Sequence, residues 1–90
     1  FLARAEVDPY NCGGTAVKAA IVAAKEYTET KVTYDAIINV TPSRRSQITK
    51  YEIMLNQWFE GDSFSLTYEV IVRGQKPNCK VVRVELIGQE

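Results

Sequence analysis

The apolar positions of this chain change period once, and the change divides it into a helical and a stranded part. Val17, Ala20, Ile21, Ala24 and Tyr27 recur at helical spacing and form one stripe, with Lys18, Lys25 and Glu26 on the solvent side. The alanines keep that stripe slim, so a sheet can approach it closely. Upstream lie a turn cluster, Asp8-Pro9-Tyr10-Asn11, and the paired glycines Gly13-Gly14, which leave Thr15 as the expected N-cap. Thr28 to Lys31 close the helix.

From Val32 the period is two. Val32, Tyr34, Ala36, Ile38 and Val40 are expected on the inner face and Thr33, Asp35 and Asn39 on the outer, with Ile37 an apolar exception among the outer residues. Pro42 to Ser46 reads as the first turn. Tyr51, Ile53 and Leu55 resume the inner face, and the alternation falters at Asn56-Gln57-Trp58-Phe59, which predicts a bulge or a strand end. Glu60-Gly61-Asp62-Ser63 is a second turn. Phe64, Leu66, Tyr68, Val70 and Val72 make the third strand, Gly74 to Asn78 the third turn, and Val82, Val84 and Leu86 the inner side of a last strand against Arg83 and Glu85. Short connections make consecutive strands antiparallel hairpins. The first and third turns then fall at one end of the sheet and the second at the other. The expected fold is α+β: one helix packed on an antiparallel meander sheet of four or five strands, in a single domain over residues 1–90.

Ninety residues, 46% of them apolar, supply one small core. A chain of this size buries only about 60–65% of its unfolded surface, so a cross-link would help. Cys12 and Cys79 are the only cysteines. A bridge between them would close a loop of roughly 66 residues, worth about 4 kcal/mol by loop entropy; two buried free thiols are the other reading. Eleven basic and eleven acidic residues cancel, which argues against nucleic acid or an anionic membrane as the main partner. No apolar run approaches the ~20 residues of a membrane span. Phe1-Leu2-Ala3-Arg4-Ala5 is not a signal peptide and reads as an N-terminus left after processing. Asn39-Val40-Thr41 is a glycosylation sequon, followed directly by Pro42.

The residues that usually do chemistry are scarce. Without histidine there is no Ser–His or Cys–His pair, and two cysteines with no histidine argue against a tetrahedral metal site. Asp35, Glu52, Glu69 and Glu85 fall on outward positions, where acids are solvated rather than paired for acid–base work. Gly13-Gly14 lack the surroundings of a phosphate loop. Neither an enzyme nor a bound metal or cofactor is expected. Arg44-Arg45 in the first turn, and Arg73, Lys76, Lys80 and Arg83 around the third, suit an acidic surface on a protein partner. Trp58 reads as a packing residue, or else as a binding anchor.

Several segments together resemble the cystatins, wedge-shaped inhibitors of papain-like cysteine proteases. The helix ending Ala23-Ala24-Lys25-Glu26-Tyr27 resembles the family's helix, and Thr49-Lys50-Tyr51-Glu52-Ile53-Met54-Leu55 the strand after its first inhibitory loop. Tyr68-Glu69-Val70-Ile71-Val72 followed by Lys76-Pro77 is similar to plant cystatins. The resemblance spans about Ala16 to Leu86 and rests on the order of the segments more than on any one. It implies reversible insertion of an N-terminal segment and two turns into a protease cleft. The chain departs from the family in each part. Arg44-Arg45-Ser46-Gln47-Ile48 stands where a small apolar loop belongs, Pro77 is followed by Asn78 instead of tryptophan, and Gly13-Gly14 sit too close to the helix to be the usual N-terminal glycine.

Two arginines in the tip require desolvation and acidic partners, so weak or no inhibition of ordinary papain-like enzymes is expected. The resemblance also brings the helix start towards the second loop, which favours the Cys12–Cys79 bridge. The expected function is a secreted protein-binding module acting through Arg44, Arg45, Ser46, Gln47 and Ile48, with Lys76, Pro77 and Asn78 and the segment before Cys12. It would be either a reversible cysteine-protease inhibitor or a non-inhibitory interaction or effector protein on the same scaffold. A homodimer by strand exchange is a further expectation for a hairpin-rich domain of this kind.

Overall fold

The structure, a computed structural model, describes residues 8–90. Residues 1–7, which include the Phe1 to Ala5 stretch expected to be a processed N-terminus and the start of the expected docking segment, lie outside the described residues. One helix, α1 (Gly13–Tyr27), precedes four strands, β1 (Lys31–Ser43), β2 (Ile48–Phe59), β3 (Asp62–Gln75) and β4 (Asn78–Gln89). The strands form one antiparallel sheet in the order β1-β2-β3-β4. The helix lies across one face of it, the α+β meander that the hydrophobic pattern predicts.

The helix begins earlier than its apolar stripe suggests. Thr15 is not the N-cap: it lies inside α1, whose N-cap is Cys12 and whose cap lacks a side-chain bond from that residue. Asp8 does the work from upstream, accepting the Gly13 backbone N–H on Oδ2 at 2.9 Å. A Cβ on Gly13 would press on that carboxylate and on Ile37. The buried row is Ala16, Ala20 and Ala24, each fully covered by the sheet. Tyr27, expected in the stripe, is 52% exposed past the end of the row and hydrogen-bonds Gln89. At the other end Thr28 N–H bonds Ala24 O, and Gln57 Nε2 donates to Thr28 Oγ1 at 3.0 Å, tying the helix end to β2.

The central strands alternate without a break. Thr49, Tyr51, Ile53 and Leu55 on β2 and Leu66, Tyr68, Val70 and Val72 on β3 form the inner wall of the core. The faltering pattern at Asn56 to Phe59 marks no bulge but the strand end: β2 stops at Phe59, in register with β3 up to the pair Phe59–Asp62. Gln57, on the inner side there, meets the end of the helix rather than its apolar row, through its bond to Thr28.

The bulges lie on the edge strands instead. Asp35 and Ile38 are extra residues in β1, and each reverses the alternation. Ala36 and Ile38 therefore leave the inner face, Ile37 packs against the core, and Ile38 is 48% exposed. Tyr34 pairs with Leu55 but remains exposed at the sheet edge. On β4, Val82 and Ile87 are the extra residues, so Val82 is exposed and Val81 opposes Val72, while Val84 and Leu86 pack as expected. Bulges on both edges interrupt the rows of unpaired backbone groups that would template another strand.

Candidate functional site

The first turn, Arg44-Arg45-Ser46-Gln47, connects the pair Ser43–Ile48. Its four residues are exposed, Ser46 Oγ is 3.1 Å from Ser43 Oγ, and Gln47 takes a left-handed φ of 54°. The third turn is tighter. Gln75 pairs with Asn78, leaving Lys76 and Pro77 at the tip, with a cis peptide bond between them. Lys76, Pro77 and Asn78 are exposed, and Ile48 is half-buried at the start of β2.

These two turns touch. Ile48 pairs with Arg73, and one residue further out Gly74 N–H donates to Gln47 O at 2.9 Å. Gly74 has φ 100°, and a Cβ there would run into the carbonyl oxygen of Asn78 across the hairpin, so only glycine fits.

The N-terminal segment joins them. Lys76 N–H donates to Tyr10 O at 3.0 Å, and Cys12 forms a disulfide with Cys79, spanning 67 positions. Asp8 O accepts from Asn11 N–H at 3.0 Å, with Asn11 at φ 58°. The Asp8 carboxylate divides its oxygens between Gly13 N–H and the hydroxyl of Tyr51, which donates to Oδ1 at 2.6 Å. Burial, followed by the hydrogen bond to and the charge of Asp8, pushes the Tyr51 hydroxyl well above the ordinary tyrosine range. Three stretches far apart in sequence thus form one cross-braced end. The second turn, Glu60-Gly61, with φ 52° and 86°, lies at the opposite end.

The structure accordingly brings together Arg44, Arg45, Ser46, Gln47, Ile48, Lys76, Pro77 and Asn78, with Cys12 and Cys79 behind them. Asn39 stands apart, exposed on β1 immediately after the Ile38 bulge. Trp58 is 43% exposed near the far end and donates from Nε1 to Thr33 Oγ1 at 3.1 Å. Sequence reasoning missed the Asp8–Tyr51 brace. A tyrosine at an inner strand position signals a need for a hydroxyl partner, but nothing in the sequence assigns that partner to Asp8.

Glu52, Glu69 and Glu85 stand in one row across the outer face. Glu69 is bridged by Lys50 at 3.8 Å and Arg83 at 3.5 Å, and Arg83 also bonds Glu85. No helix among the described residues is long and apolar enough to cross a membrane. In comparisons with known proteins, no family model, no curated protein and no solved structure matches the chain.

Proposed function

We propose that this chain is a cystatin-like protein-binding module that inserts its braced end into a cleft of a partner protein. The observation carrying the reading is the pair of backbone bonds Gly74 N–H to Gln47 O and Lys76 N–H to Tyr10 O, which hold the N-terminal segment and two turns side by side. An edge built this way is pre-organised, so docking loses little conformational entropy. The meander sheet, the single helix and the three-part edge are what the resemblance to cystatins implies, and they favour reversible, non-covalent occlusion of a papain-like protease cleft. The Cys12–Cys79 bridge supports an oxidising, extracellular setting.

A second reading has its own support. The tip is cationic and lacks an aromatic anchor: Arg44, Arg45 and Lys76 are exposed, and Asn78 follows Pro77. That chemistry suits a non-inhibitory partner with an acid-lined groove better than a narrow apolar cleft. Inhibition of papain and of cathepsin-type enzymes, measured at increasing concentration, separates the two. Competitive, reversible inhibition supports the first reading. Its absence at high micromolar concentration removes that reading and leaves the second.

A further inference from the structure

The outer face of the sheet is charged in rows, and only some of the rows are neutralised. In the row of Glu52, Glu69 and Glu85, the last two are answered by Lys50 and Arg83 one row nearer the braced end. Arg73 and Lys80 come next. They are directly opposed across β3 and β4, both exposed, and neither has an ion-pair partner among the described residues. Like charges in this position repel. Glu69 is four residues back along β3, about 13 Å away, which exceeds the ~8 Å screening length at physiological salt. Arg44 and Arg45 extend the same rim past Ile48, so the cations run across the strands rather than along them.

The geometry points to a linear sulfated polysaccharide as the ligand of this rim, with Arg73 and Lys80 sharing one sulfate and the chain continuing towards Arg44 and Arg45. An anion between Arg73 and Lys80 relieves their repulsion. Nucleic acid is disfavoured because base stacking needs exposed aromatic rings, whereas Trp58, Phe59 and Phe64 are at the far end and the apolar neighbours of the rim, Ile48 and Val82, are aliphatic.

Heparin-agarose chromatography and calorimetry with a heparin oligosaccharide test this. The intact protein should remain bound above about 0.15 M ionic strength, with affinity falling tenfold or more between roughly 50 and 200 mM salt as counterions are released. Arg73→Ser with Lys80→Ser should weaken binding at least tenfold, and Arg73→Gln with Lys80→Gln should do the same if serine loosens the strands. Unchanged affinity in both double variants overturns the proposal. So does failure of the intact protein to be retained, tighter binding of single-stranded DNA than of heparin, or capture by phosphatidylserine vesicles in place of heparin. Arg73 and Lys80 lie behind the tips of the inserting turns. A variant that loses heparin but keeps protease or partner binding therefore separates this surface from the docking edge.

Discussion

Gly74 donates its backbone N–H to the carbonyl of Gln47 at 2.9 Å, and this one bond joins two turns whose residues are 27 positions apart. Gly74→Ala should therefore do more than strain a hairpin. At φ 100°, with Asn78 O in the path of a Cβ, the substitution should cost more than about 2 kcal/mol. Gly61→Ala meets open space at φ 86° and should cost only about 1 kcal/mol. Urea midpoints of the two variants check the contrast.

Reduction should expose how much the N-terminal brace contributes. Opening Cys12–Cys79, which spans 67 positions, should remove about 4 kcal/mol by loop entropy. The denaturation midpoint with and without reductant measures it. The unfolded, unreduced protein should show no reactive thiol.

Tyr51 makes a prediction at alkaline pH. Its hydroxyl is held protonated in the folded state by burial and by Asp8, and Tyr68 is raised by burial and by Tyr27. Unfolding frees both to ionise near pH 10, so the unfolded state binds fewer protons there and stability falls as pH rises above about 10. The stability these hydroxyls contribute is fully present below that pH. Tyr51→Phe should flatten part of the alkaline decline, and the Tyr68 share should remain. At neutral pH the same substitution should cost about 1–2 kcal/mol for the lost bond to Asp8. Urea unfolding of both proteins at pH 8 and pH 11 tests the sign.

Arg44→Ala with Arg45→Ala should leave stability within about 0.5 kcal/mol, because both side chains are exposed in a turn. Partner binding, whether to a protease or to another protein, should fall at least tenfold. Binding that survives would place the site elsewhere.

The two neighbouring isoleucines of β1 show where the sequence stopped being informative. Ile37 packs on the core and Ile38 is exposed. Ile37→Ala should cost about 2 kcal/mol and Ile38→Ala well under 1 kcal/mol, as thermal unfolding would report. Strict alternation assigns them the other way round, because a bulge leaves no mark in an apolar run. The central strands were legible because Tyr51 to Leu55 and Leu66 to Val72 never break period. The placement of the first and third turns followed from strand direction alone. The helix start was not legible, because its cap is supplied by Asp8 from outside the first turn rather than by the nearest threonine. The contact between the turns depends on Gly74, whose role appears only once Gln47 is beside it.

The single tryptophan adds a practical consequence. Trp58 is ten positions along β2 from Ile48, so its indole lies about 33 Å from the first turn at strand spacing. Its emission should stay silent when a partner seats on the braced edge. A spectral change on mixing would report an event at the opposite pole, and a dye attached near Lys76 would be the probe to use for docking.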